Sequence, residues 1–118
     1  MKKILLVDDN IELLGVMSSI LKECFQVCEA TGVQEAVKLL ETVTVDAICS
    51  DFNMRDGTGL ELLEKLRQKN VTIPFMIMSG SDDRQLANQA QSWGALFCCK
   101  TDHDLIAKIK TMLLGGTQ

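Results

Sequence analysis

The sequence predicts an α/β fold, a parallel β-sheet with helices packed on both of its faces. Three observations lead there. Four short apolar runs, Ile4–Val7, Ala47–Ser50, Phe75–Met78 and Leu96–Cys99, are bounded by polar or turn residues and have the length of buried strands rather than helices. The stretches between them repeat apolar residues at helical spacing. The two kinds of segment alternate along the chain, and that alternation leads to a parallel sheet joined by right-handed crossovers.

Each element has its own justification. Ile4–Val7 is the first strand, and Ile11, Leu14, Met17 (or Ser18) and Leu21 mark the helix after it. Phe25–Ala30 supplies a second strand, in which Val27 alternates with polar neighbours as an edge strand does. Thr31 and Gly32 are entry signals for a second helix marked by Val33, Ala36, Val37 and Leu40. The third strand, Ala47–Ser50, precedes a helix marked by Leu60, Leu63 and Leu66 (or Arg67). Pro74, the sole proline, opens the fourth strand, where a missing N–H does little harm. A fourth helix carries Leu86, Ala90 and Trp93 and is capped near Ser81 or Asp82. After Leu96–Cys99, a fifth helix is marked by Leu105, Ile106, Ile109, Met112 and Leu113, with Gly115-Gly116 past its end. The β-α unit thus occurs five times with no linker or repeat, and residues 1–118 read as a single domain.

Composition narrows the function classes. With 47% hydrophobic and 24% charged residues, the 118-residue chain is neither disordered nor too small for a core. A net charge of −4 and no Lys/Arg cluster beyond a pair argue against direct nucleic-acid binding. Asp8 and Asp9 end the first apolar run after four residues, too few for a secretory signal or a membrane span. A cytoplasmic protein without membrane insertion is expected. The five cysteines (24, 28, 49, 98 and 99) offer no second Cys/His pair to complete a zinc site, so they read as small hydrophobes in a reducing compartment. Cys98 and Cys99, adjacent on one strand, should point to opposite faces. Gly57-Thr58-Gly59 lacks the third glycine of a dinucleotide loop, Leu62 standing in its place.

The chemistry lies where the strands end. The four runs lead into Asp8 and Asp9, Asp51, Ser79 and Lys100. In an open α/β sheet, ligands bind outside the carboxyl ends of the strands, at the point where the strand order reverses. One Asp at a strand end reads as a helix cap or turn former; that explanation does not cover all of these residues together. Three bare carboxylates would repel one another, and a hard divalent cation relieves this; Mg²⁺ suits a site of few carboxylates with retained waters. A cation, a carboxylate, a hydroxyl and an ammonium suit the handling of a phosphoryl group, where the protein supplies positioning and charge neutralisation. Asp51 can attack phosphorus to give an acyl phosphate. Lys100 can act as a point charge on one phosphoryl oxygen, and Ser79 can donate a hydrogen bond to another. No Ser–His or Cys–His pairing competes, and His103, the only histidine, reads as a surface residue.

These residues sit in motifs that identify a family resemblance. Ile4-Leu5-Leu6-Val7-Asp8-Asp9-Asn10, Asp51-Phe52-Asn53-Met54 followed by Gly59, Met78-Ser79-Gly80, Gly94-Ala95 and Lys100 together resemble the receiver domain of two-component response regulators, of the single-domain, chemotaxis-regulator-like kind. The resemblance covers essentially the whole chain. It implies a flavodoxin-like doubly wound (βα)5 fold with strand order 2-1-3-4-5. It implies Asp51 as phosphoacceptor from the phosphohistidine of a sensor histidine kinase or phosphotransfer protein. Asp9 becomes a direct Mg²⁺ ligand, Asp8 lies near the metal through water, and Asp51 and the Asn53 backbone carbonyl join the ligand set. Ser79 and Lys100 bind the phosphoryl group, and Phe97 matches the aromatic that turns inward when the switch hydroxyl moves. The signal would then appear on the surface of the fourth helix, fifth strand and fifth helix, where a downstream target protein or output domain docks. Such a protein is a signalling switch rather than an enzyme, limited to self-phosphorylation from a donor and autodephosphorylation.

The chain departs from the family pattern beside the site. Arg55 stands where receivers usually carry proline, four residues after Asp51. Thr101 replaces the proline that commonly follows the lysine, and before a non-proline residue a cis bond costs about 2.5–4 kcal/mol, so a trans Lys100–Thr101 bond is expected. The stretch from Gly94 to Lys100 also looks one residue short. Three other readings compete with this one. A receiver cut from a longer regulator differs only in having a separate output domain. An aspartate-nucleophile phosphohydrolase needs a second carboxylate two residues past its nucleophile, and Asn53 occupies that place. A pseudo-receiver that never carries phosphate is at odds with the intact Asp8-Asp9, Asp51, Ser79 and Lys100.

Overall fold

The computed structural model describes residues 1–115. All five expected strands are present: β1 (Lys3–Val7), β2 (Gln26–Ala30), β3 (Ala47–Asp51), β4 (Phe75–Ser79) and β5 (Leu96–Cys99). They form one parallel sheet in the order β2-β1-β3-β4-β5, the doubly wound order expected. Register pairs Val7 with Ser50, Asp51 with Met78 and Ser79 with Cys99, so the strands finish at one level. That common level brings the polar strand ends together.

Side-chain alternation divides the core into two layers. Ile4, Leu6, Ala47, Cys49, Met76 and Met78 face α1 (Ile11–Leu21) and α5 (Leu105–Leu113). Leu5, Val7, Ile48, Phe75 and Ile77 face α2 (Val33–Leu40), α3 (Gly59–Gln68) and α4 (Arg84–Ser92). Because β1, β3 and β4 are covered on both faces, they are apolar at nearly every position, which is why they read as continuous runs. β2 lies at an edge, and Ala30 alone of its residues is buried. Cys98 is buried on the α1/α5 side while Cys99 is half-buried, and all five thiols are free. Burial pushes the Cys49 and Cys98 thiols up from their ordinary value, which keeps them protonated.

Several boundaries differ from expectation for physical reasons. Asp83, not Ser81 or Asp82, caps α4, its carboxylate accepting the Leu86 N–H at 3.1 Å. The burial of Leu86 and Ala90 sets the phase of that helix, and Asp83 is the polar residue three before Leu86. Ile11 opens α1 but is 71% exposed, and the buried face begins at Leu14. Leu62 joins Leu63 and Leu66 in the core, whereas Leu60 only packs against its margin. Residues 53–58, between the third strand and the third helix, form a small antiparallel hairpin, Asn53–Met54 against Gly57–Thr58. Pro74 sits immediately before β4, and its carbonyl accepts the Ile48 N–H at 3.0 Å. Gly115 follows α5 at φ +92°, while Gly116 lies outside the described residues. No peptide bond among the described residues is cis, so Lys100–Thr101 is trans. No helix among them is long and apolar enough to cross a membrane.

Candidate functional site

Hydrogen bonding extends the sheet into the site. The Asp8 N–H donates to the Ala30 carbonyl at 3.0 Å, and the Lys100 N–H donates to the Ser79 carbonyl at 2.8 Å. Each polar residue is therefore held by backbone one step beyond its apolar run. The Lys100 ammonium then lies between two carboxylates, 3.1 Å from Asp8 Oδ2 and 3.0 Å from Asp51 Oδ1. Asp8 is 1% and Asp51 7% exposed. Ser79 is buried at the end of β4, and its Oγ accepts the Ser81 N–H at 3.4 Å.

The remaining aspartate is placed by a different segment. Asp9 Oδ2 accepts the backbone N–H of Arg55 at 3.1 Å, linking the end of β1 to the hairpin after β3. Asp8 Oδ1 accepts the Asn10 N–H at 2.9 Å, and Asn10 in turn caps α1. Carboxylate oxygens of Asp8, Asp9 and Asp51 all lie within 4.8 Å of one another. The ionised site thus holds three carboxylates against the single ammonium of Lys100.

Titration reflects burial first and this imbalance second. Burial raises the Asp51 carboxyl above its ordinary value; Lys100 pulls it down, and Asp8 and Asp9 push it up again. Burial works against the charged form of Lys100, but Asp51 and Asp8 outweigh it and hold the ammonium above its ordinary value. The two shifts point different ways across one ion pair: Lys100 is held charged by its partners, whereas Asp51 is raised first by burial, which the Lys100 contact does not fully offset. Asp8 Oδ2 makes the same point geometrically. It is buried, and the Lys100 ammonium at 3.1 Å is the one cation beside it among the described residues, shared with Asp51, so this oxygen keeps acceptor capacity that the protein does not fill. A hard, all-oxygen donor set with a buried acceptor lone pair to spare fits a small divalent cation.

The other candidate residues are distributed around this centre. Asn53 is exposed, two residues past Asp51, and starts the hairpin. Phe97 is half-buried in β5, paired with Ile77 of β4 and packed against the α2–α4 side of the core. His103 and the Arg55 and Thr101 side chains are exposed. What Arg55 brings to the site is its backbone N–H.

Two supporting features were not foreseen. A Cβ at Gly59 would stand 2.5 Å from the Asp51 carbonyl oxygen, so only glycine lets α3 start against the end of β3. The second is Asp56, whose carboxylate accepts the Val33 and Gln34 N–H groups, each at 2.9 Å. It caps α2 from outside that helix, whose own N-cap Gly32 has no side chain. The glycines of Gly57-Thr58-Gly59 were the visible sign of a close approach, but nothing local marks Asp56.

Comparison with known proteins bears on the family and the fold. The model of the response regulator receiver domain family matches residues 4–110. The transcriptional regulatory protein CpxR of Klebsiella pneumoniae is 34% identical over 116 residues, covering 96% of this chain and 50% of that protein. The chain spans about half the length of the curated relatives it matches. A CheY-like response regulator receiver domain protein from Methanospirillum hungatei superposes with a TM-score of 0.88 at 27% identity, over 98% of this chain and 95% of that one. A Francisella response regulator receiver domain, at 23% identity and a TM-score of 0.89 over 99% of this chain and 100% of that one, shares the fold.

Proposed function

This chain belongs to the response regulator receiver domain family, and from that premise we propose that it is a Mg²⁺-dependent switch phosphorylated on Asp51. The observation that carries the reading is the position of Lys100, 3.0 Å from Asp51 and 3.1 Å from Asp8, in a site that keeps an excess of carboxylate. An Asp51 carboxylate oxygen attacks the phosphorus of a phosphohistidine on a sensor histidine kinase or phosphotransfer protein. The new O–P bond forms as the P–N bond breaks, and the imidazole nitrogen keeps the electron pair. Asp9 directly, Asp8 through water, Asp51 and the Asn53 carbonyl would hold Mg²⁺, which would neutralise phosphoryl oxygen charge.

Lys100 then exchanges its contact with Asp51 for one with a phosphoryl oxygen, and the Ser79 hydroxyl donates to another. The acyl phosphate adds a charge near −2, which favours the conformer in which both engage it. Ser79 moves, Phe97 turns inward behind it, and the surface of α4, β5 and α5 changes for a downstream target protein or output domain. In this role residues 1–118 act as one domain in the cytoplasm, by protein contact and not by turnover of a substrate. Asn53, in the place of a second carboxylate, supports that reading over a phosphohydrolase.

Beryllofluoride, which mimics the phosphoryl group, tests the proposal. With Mg²⁺ it should shift the amide resonances of Ser79, Lys100 and the α4-β5-α5 face. Amides that respond to Mg²⁺ alone and show no further change with beryllofluoride would contradict it.

A further inference from the structure

The two turn residues of the hairpin, Arg55 and Asp56, make contacts on opposite sides. The Arg55 N–H donates to Asp9 Oδ2 at 3.1 Å. The Asp56 carboxylate, one residue on, is gripped by two N–H groups of α2, with Oδ1 on Val33 and Oδ2 on Gln34, each at 2.9 Å. Gly57 comes next at φ +146°, a conformation that side chains disfavour, so the turn closes only with glycine there. Further along, Gly59 and the Thr58–Glu61 capping box fix the hairpin to α3. The turn is therefore anchored at both ends, and it presents one backbone donor to the acidic site.

We propose that the Arg55–Asp56 turn is a positioning clamp for Asp9, with Asp56 docked on the α2 N-terminus and the Arg55 N–H setting the orientation of the Asp9 carboxylate toward the bound cation. The inference rests on the cation reading above and deepens it. A carboxylate has two oxygens, and one held by an N–H leaves the other free for a metal in a fixed direction. Outer-shell hydrogen bonds of this kind orient ligands in general. The donor is a backbone group, so any residue at position 55 supplies it except proline, which has no N–H. The anchor is ionic as well as directional. The Gln34 and Val33 N–H groups hold the Asp56 carboxyl below its ordinary value, and the positive end of the helix dipole favours its charged form.

The same geometry explains Gly32. A Cβ there would meet Asp56 Oδ1 at 2.7 Å and Oδ2 at 3.0 Å, so α2 cannot carry its own side-chain cap while Asp56 occupies that place. Gly32 itself is extended, at φ −174° and ψ 178°, so any residue could adopt its backbone. Serine at 32 becomes compatible once the Asp56 carboxylate is removed.

The test is a Mg²⁺ titration of the unphosphorylated protein followed by amide NMR, with thermal unfolding measured in parallel. Arg55→Ala keeps the N–H and should not weaken Mg²⁺ binding; Arg55→Pro removes it and should raise the dissociation constant by about tenfold, the low end of what losing an outer-shell partner does. Asp56→Ala should weaken Mg²⁺ binding and also loosen α2. In Asp56→Ala with Gly32→Ser, α2 regains a cap and thermal stability returns, but Mg²⁺ affinity should stay low. Recovery of affinity along with stability, or equal weakening by Arg55→Ala and Arg55→Pro, would show that the turn is only structural and overturn the clamp. Wild-type protein with no Mg²⁺-dependent shifts at Asp9 and Asp51 would overturn the cation reading itself.

Discussion

Arg67 and Lys100 are half-buried cations at opposite ends of the sheet, and the two are used differently. At the amino ends of β4 and β5, the Arg67 guanidinium donates to the carbonyls of Trp93 at 2.9 Å, Val71 at 2.8 Å and Ile73 at 3.0 Å. Among the described residues it forms no ion pair; its partners are neutral, and it fastens the segments that lead into two strands. At the carboxyl ends, Lys100 meets Asp8 and Asp51, with Asp9 close by, and cannot balance them. Arg67 turns its Nε and Nη1 donors to neutral carbonyls of the fold and, among the described residues, gathers no carboxylates around it. Lys100 leaves its network open. An excess of one charge, held in place by a rigid sheet, separates a site from a staple.

Substitutions can break that contrast. Lys100→Ala should have the larger effect on stability, about 3 kcal/mol, because it leaves the buried Asp8 and Asp51 without their cation. Mg²⁺ should restore much of the loss, and urea unfolding with and without Mg²⁺ measures it. Arg67→Ala should cost about 2 kcal/mol, from carbonyls left without a charged donor. Mg²⁺ should restore none of it, and labelling of Asp51 should be unchanged. Equal Mg²⁺ rescue of both variants would erase the distinction between the two ends.

A smaller effect, of order 1 kcal/mol, is expected from Asp51→Asn in metal-free buffer. The folded state raises the Asp51 carboxyl above 3.8, so the protonated form is the one the fold favours. That contribution is complete below the unfolded value and is lost as pH rises through the folded one. The amide has no proton to lose. Asp51→Asn should therefore unfold at a higher temperature than wild type near neutral pH, and the gap should close as pH falls toward 3.8. A gap that widens on acidification would mean that Lys100 more than compensates for burial.

The two ends also differ in how much of them a sequence can disclose. The clustering of Asp8, Asp9, Asp51 and Lys100 was legible because these residues lie at the ends of apolar runs, and parallel register turns that local fact into a shared place; Asn53, in the hairpin, has no such mark. Asp8, Asp9, Asp51, Ser79 and Lys100 needed no knowledge of loops. Arg67 looked like one option on a helical stripe, because its carbonyl partners lie on separate loops and no side-chain pattern marks a carbonyl. Asp56 was hidden for a similar reason: a helix cap is sought just before its helix, and this one comes from a hairpin 23 residues past Val33. The shift from Ser81 or Asp82 to Asp83 and the exposure of Ile11 are end effects, where polar neighbours compete and the periodic pattern has little to pack against.

The central claim is that the unbalanced charge at the strand ends is a receptor for a phosphoryl group on Asp51. Intact-protein mass spectrometry after incubation with acetyl phosphate and Mg²⁺ tests it most directly. Wild-type protein should gain the mass of one phosphoryl group, and Asp51→Ala should gain none. Appreciable labelling of Asp51→Ala would contradict the account.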